Sequence, residues 1–160
     1  MDDRIPTGIY DIMDRVMQDI TNPIDQIHPE GQNMDLSEDV CMVQTTFEGG
    51  HQGSLTLCVD TALLTRLAKQ VLEEETVAPE DLEDFAKEYF NVICGQIVAR
   101  LFQLTKTVSR FHIPCVCTGL QKPNKGGVGC HVLNYTNNCH EGVRLIHQAK
   151  LADATNKKTV

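Results

Sequence analysis

Residues 79–104 read PEDLEDFAKEYFNVICGQIVARLFQL, and the spacing within them predicts one long helix over about residues 80–104. Pro79 suits a first helical turn, and Glu80 and Asp81 bring negative charge to the positive end of the peptide dipoles. At about 100° per residue, Leu82, Phe85, Ala86, Tyr89, Phe90, Ile93 and Ile97 crowd onto one side. Asp84, Glu88, Asn91 and Gly95 fall at i, i+4, i+7 and i+11, within about 60° of one another on the opposite side. A helix packed on a core therefore holds a narrow polar stripe to solvent, with a residue lacking a side chain in that stripe.

The stripe is unfavourable in local terms. The Asn side chain competes for backbone hydrogen bonds, and a mid-helix Gly costs about 1 kcal/mol relative to Ala. No Lys or Arg follows Asp84 or Glu88 by four residues, so neither acid has the usual i,i+4 partner. Spacing alone is also met by an ordinary solvated face that tolerates a glycine.

Working outward, residues 7–21 carry Ile9, Ile12, Met13, Val16, Met17 and Ile20 at three- and four-residue intervals, an amphipathic helix. Thr7 is placed to cap it, and Asn22-Pro23 to stop it. Residues 24–38 are polar, with Pro29, Gly31 and Asn33, and read as a loop or edge. Val40–Phe47 and Ser54–Val59 are β-rich around Gly49-Gly50 and Gly53, a hairpin. Thr61 then caps a second helix with an apolar face of Leu63, Leu64, Leu67, Ala68, Val71 and Leu72, ended by Glu73-Glu74-Glu75. Beyond the long helix, Phe111–Gly119, Val132–Thr136 and Val143–Lys150 read as strands, with a Gly- and Pro-containing loop at Lys122–Gly129. Ala152–Val160 reads as a polar tail. His51-Gln52-Gly53 with Leu55 echoes His140-Glu141-Gly142 with Leu145. The echo admits a doubled helix-plus-hairpin unit and, equally, a chance match. The class expected is α+β: three helices packed on one face of a mainly antiparallel sheet, in one domain spanning 1–160 with an ordered core of about 7–150.

The 160 residues suffice for one core without disulfides. A net charge of −8 argues against a binder of nucleic-acid phosphates, and Arg110, Lys122 and Lys125 are too few for such a face. No apolar run approaches the roughly 18 residues of a membrane span. The acidic start Met1-Asp2-Asp3-Arg4 is not that of a signal peptide. Seven cysteines, an odd number, are expected as reduced, mostly buried thiols of a cytoplasmic protein.

Asp84-x3-Glu88-x2-Asn91-x3-Gly95, in this order of helices and hairpins, resembles the signature of the CheC/CheX/FliY family of chemotaxis phosphatases. The similarity extends over about residues 7–150, including the Phe47–Leu55 hairpin and the Leu- and Ala-rich second helix. It implies a two-layer CheC-like fold and hydrolysis of the aspartyl phosphate of a CheY-type response regulator. Asn91 would then be the catalytic residue, holding a water for in-line attack much as Gln does in GTPases. Glu88 would reach the regulator's active-site lysine. Asp84 would lie on the rim of the contact, and Gly95 would let the partner's backbone come close. Mg²⁺ would come with the regulator, so no cofactor or metal is required of this chain. CheC-like members carry a second Glu-x2-Asn site on the first helix. Here that helix offers only Asp19-x2-Asn22, at its end before Pro23 and read as a stop, which points to the CheX branch. The resemblance further implies a homodimer joined through a sheet edge. The rival reading is a non-catalytic module of the same fold that grips a regulator or a flagellar-switch partner.

Other residues with chemical potential read as structural. Cys115-x-Cys117, Cys130-His131 and Cys139-His140 lack the doubled spacing of structural zinc sites. A cysteine nucleophile would need a base that nothing in the sequence positions beside it, although His112 and His131 are nearby in sequence. Gly49–Gly53 and Gly126–Gly129 lack the residues that follow a phosphate cradle and read as hairpin turns, with His51 and His140 as turn residues.

Overall fold

The computed structural model describes residues 7–117 and 129–149. Its elements are helix α1 (Thr7–Thr21), strands β1 (Ile27–Glu30), β2 (Val40–Gly49) and β3 (Gly53–Asp60), helices α2 (Thr61–Leu72) and α3 (Pro79–Thr105), and strands β4 (Ser109–Phe111), β5 (Cys115–Cys117), β6 (Cys130–Asn137) and β7 (Gly142–Ala149). The strands form one antiparallel sheet in the order β1-β6-β7-β3-β2-β4, with β5 also on β2. The Lys122–Val128 part of the expected loop, the residues Thr118, Gly119 and Lys150 of the expected strands, and both termini lie outside the described residues.

The topology repeats. Helix α1 is followed by β1 and the hairpin β2–β3; helix α3 is followed by β4 and β5 and the hairpin β6–β7. Strands β3 and β7 meet at the centre, Thr56 opposite Ile146, and each short edge element pairs with the other half's hairpin. Leu55 and Leu145 are buried on the inner face on either side of that centre. The doubling that the His-x-Gly echo admits is thus present in the fold, with α2 as the connector.

All three helices lie on one face. Met13, Val16 and Met17 of α1, Leu63, Leu64 and Leu67 of α2, and Phe90, Ile93, Ile97 and Leu101 of α3 are buried against Val43, Leu55, Leu57, Val143 and Leu145. At roughly 1.5–3 kcal/mol per buried apolar side chain, the α3 contribution outweighs the about 1–2 kcal/mol that Asn91 and Gly95 cost in propensity. Packing therefore makes this segment helical despite its polar stripe.

The turn between β2 and β3 needs glycine at both ends. Gly49 has φ +97, and a Cβ there would lie 2.6 Å from the Val108 carbonyl oxygen; Gly53 has φ +152, and its Cβ would lie 2.4 Å from the Gln148 carbonyl oxygen. Helix α2 ends at Glu73, whose left-handed backbone returns its N–H to the Lys69 carbonyl.

Two expectations are corrected, and a third, the loop or edge at 24–38, is met. The strand expected over Phe111–Gly119 is two three-residue strands separated by His112–Pro114. The register on β2 slips by one residue across the break, Phe47 facing Phe111 but Gln44 facing Cys115, so a bulge is present, and Pro114 has no N–H for the ladder. Thr61 does not cap α2. Asp60 is the N-cap residue, and its carboxylate is taken by the amides of Ser37 and Gly142, both at 2.7 Å, while the Thr61 hydroxyl donates to Asp39 at 2.9 Å. The polar 24–38 segment contributes the edge strand β1. Its remainder is held on the sheet by Asn134, which donates to the Gly31 carbonyl, and by Arg144, which donates to the Met34 carbonyl.

The cysteines also depart from expectation. Only Cys58 and Cys94 are buried; Cys115 and Cys139 are exposed and the others intermediate. Cys58 and Cys117 each face Met42 from opposite sides, two strand spacings or about 10 Å apart, beyond disulfide reach.

Candidate functional site

Asp84, Glu88 and Asn91 are all exposed on the outer side of α3, and Gly95 is part-exposed in line with them. The four residues singled out in the sequence therefore share one solvent-facing stripe. Their neighbours Ala86, Tyr89, Phe90, Ile93 and Cys94 are buried beneath it, so the backbone carrying the stripe is fixed from below.

Among the described residues, two polar contacts tie α3 to α1. The hydroxyls of Thr21 and Tyr89 share a buried hydrogen bond of 2.6 Å immediately beside Glu88. Burial pushes the Tyr89 phenol up to about 12, partly offset by that bond. Further along, Arg100 donates to Asp19 at 3.1 Å. The sequence placed Tyr89 in the core by helical phase but had no means of pairing its hydroxyl with a residue 68 positions earlier.

Within the stripe, Asp84 has a loose i,i+3 ion pair with Lys87 at 3.9 Å, both groups well exposed, an interaction of little energetic weight. The i,i+4 rule had missed it. Among the described residues, Glu88 and Asn91 have no hydrogen-bond or ion-pair partner. Residues three apart on a helix set their Cβ atoms about 5–6 Å apart, so one carboxylate and one carboxamide project side by side into solvent. A Cβ built on Gly95 would meet nothing within 4 Å. Internal packing does not require glycine there.

Helix α1 carries no equivalent pair. Asp19 is engaged by Arg100, and the Asn22 Oδ1 accepts the Ile27 amide at 2.8 Å just past the last helical residue. Asp19-x2-Asn22 serves as the helix stop read from the sequence.

The remaining candidates have structural surroundings. Burial pushes the Cys58 thiol up to about 11 and the Cys94 thiol higher, which disfavours a thiolate at either. His131 stacks on Tyr10 with ring centroids 3.8 Å apart, and His112 sits 3.7 Å from Glu48. His51 and His140 do occupy the two hairpin turns. Among the described residues no group of three His, Cys, Asp or Glu is placed to hold a metal ion. A crevice of about 480 Å³ lies away from α3, lined by Thr46, Glu48, Ser54, His112 and Gln148 among others. The α3 stripe is convex, a shape that suits a macromolecular partner rather than an enclosed small ligand.

Residues 41–135 match the family model described as chemotaxis phosphatase CheX. The chain belongs to the CheX family. Solved structures agree on the fold. The chain is 15% identical to the chemotaxis protein CheX of Desulfovibrio desulfuricans, covering 89% of this chain and 99% of that one with a TM-score of 0.72. For CheX of Vibrio vulnificus the identity is 12%, the coverage 89% and 99%, and the TM-score 0.73. A third, from a CheX–CheY–BeF3–Mg²⁺ complex of Borrelia burgdorferi, is 16% identical over 92% of this chain and 99% of that chain, with a TM-score of 0.69. No curated protein matches the sequence. The CheX family match covers β2 through most of β6 and so includes all of α3.

Proposed function

We propose that this chain hydrolyses the aspartyl phosphate of a CheY-type response regulator, with Asn91 placing the attacking water and Glu88 docking the regulator's active-site lysine. The observation that carries the reading is the Glu88–Asn91 pair, exposed and without an internal partner on a helix whose backbone is held by buried neighbours. Membership of the CheX family and the likeness to a chain solved in complex with CheY support it.

The chemistry asks little of the chain. Water attacks phosphorus opposite the acyl oxygen, the bond from phosphorus to that oxygen breaks, and its electron pair leaves with the regulator's carboxylate. A carboxylate is a weak base, with a reference value near ~4, so the leaving group needs no acid on this chain. The Asn91 carboxamide offers an acceptor for a water proton and a donor toward the phosphoryl oxygens. Its contribution is position, the larger part of what such a reaction requires. Mg²⁺ belongs to the regulator in this scheme, and no cofactor is assigned to this chain. Asp84 borders the contact and Gly95 admits the partner's backbone.

No helix among the described residues is long and apolar enough to cross a membrane. We place the chain with its regulator in the cytoplasm, as a homodimer joined through a sheet edge. Phosphate release from a phosphorylated CheY-type regulator with Mg²⁺ tests the reading. The unaltered chain should accelerate release, Asn91→Ala should abolish acceleration while keeping binding, and Glu88→Ala should weaken binding. Binding without acceleration by the unaltered chain would make it a non-catalytic module.

A further inference from the structure

The stripe does not end at Gly95. By helical phase Val98 and Phe102, at i+7 and i+11 from Asn91, lie within about 20° of it, and Ala99 borders them at about 80°. Phe102 is 45% exposed, and the Lys106 ammonium lies 5.9 Å from its ring centroid. Ala99 is exposed and Val98 half-buried. Single exposed apolar residues are ordinary on protein surfaces. What distinguishes this set is its alignment. One face of α3 is polar from Asp84 to Asn91 and apolar from Gly95 to Phe102, with the change of character at the residue whose missing side chain has no internal cause.

From this we infer that Phe102, flanked by Val98 and Ala99, is the apolar anchor on which a CheY-type regulator seats while its phosphorylated pocket lies over Asn91. The inference rests on the reading of Glu88 and Asn91 given above. Asn91 and Phe102 are about 16 Å apart along the axis. A domain of about 100 residues, with a radius of gyration near ~13 Å, is wide enough to cover both. Charge supports the polarity of the contact. The acidic half at Asp84 and Glu88 suits the lysine of an acyl-phosphate pocket, whereas the half at Phe102 offers desolvation and is suited to an apolar side chain of the regulator. Aromatic residues within such a contact carry a disproportionate share of affinity. Phe102 is thus a positioning residue, acting on the Michaelis complex and not on the reacting atoms.

The test is steady-state dephosphorylation of the regulator by Phe102→Ser, Phe102→Leu and Ala99→Glu, with Leu72→Ser, exposed at the end of α2, as a control. The inference expects Phe102→Ser and Ala99→Glu each to raise KM about tenfold with kcat within about twofold, the size of one lost anchor. Phe102→Leu should recover most of the affinity and Leu72→Ser should change nothing. Unchanged KM in both Phe102→Ser and Ala99→Glu, with the unaltered chain active and Asn91→Ala inactive, overturns the anchor and leaves the phosphatase reading standing. An unaltered chain that neither binds nor dephosphorylates the regulator overturns both.

Discussion

Thr21 Oγ1 and the Tyr89 phenol oxygen lie 2.6 Å apart in the interior, joining the last residue of α1 to the residue between Glu88 and Phe90 on α3. The bond sets the height of the candidate site's backbone over α1. It is a buried polar pair beneath the stripe.

Tyr89→Phe should cost about 1–2 kcal/mol, because the Thr21 hydroxyl stays buried without its partner. Urea unfolding measures this. Adding Thr21→Val should cost less than the sum of the two single changes, since the second change removes the stranded hydroxyl. Additive losses would show that the two hydroxyls do not act as a pair.

Gly95→Ala should raise stability by about 0.5–1 kcal/mol, as the new methyl meets no atom within 4 Å and helical Gly is unfavourable. The same variant should bind the regulator more weakly. Thermal unfolding and regulator titration on one preparation check both. A variant that is stabilised and binds unchanged would mean that nothing approaches Gly95 closely.

Burial, then the neighbouring His131 and His51, pull His147 down to about 4, and its Nδ1 lies 3.4 Å from the Tyr10 hydroxyl. His131 and His51 are themselves lowered by burial. The unfolded chain protonates His147 near ~6.5, so its neutral burial contributes in full above that pH and is lost as pH falls toward 4. The loss from this residue is at most about 3 kcal/mol. Urea midpoints at pH 7.5, 6, 5 and 4.5 should fall on acidification (roughly, by the same linkage), and His147→Gln should flatten the profile. An equally steep profile in that variant would assign the effect to other groups.

Asp60→Ala should destabilise by about 2–4 kcal/mol, leaving the Ser37 and Gly142 amides without their carboxylate. Asp60→Asn, which keeps one acceptor oxygen, should cost roughly half as much. Circular dichroism melts would separate them, and equal losses would point to the charge of Asp60 rather than its two acceptors.

Much of this was legible in the sequence where the signal is periodic. The 3.6-residue phase of α3 placed Tyr89, Phe90, Ile93 and Ile97 inside and Glu88 and Asn91 outside, and the bounds read for α1 coincide with the helix observed. What was not legible depends on contacts between distant residues. Thr61 looks like a cap until Asp60 is seen gripping Ser37 and Gly142. Phe111–Gly119 reads as one strand because composition does not reveal the extra residue that a bulge inserts opposite Thr45 and Thr46. The apolar continuation at Val98, Ala99 and Phe102 follows from the same phase as Asn91. Composition does not tell whether such apolar residues on a long helix pack in the core or face solvent.

The exchanged edges of the sheet bear on how the protein is made. As the chain leaves the ribosome, β1 has no partner until β6 emerges, and β2 keeps an open flank until β4 and β5 arrive. Strand β3 waits for β7, at the far end of the described chain. The first half therefore emerges with unpaired flanks, a hazard for premature association during synthesis. A break in the 74–78 connector should yield two pieces that are unstable apart and complement each other when mixed, because each supplies the other's missing border.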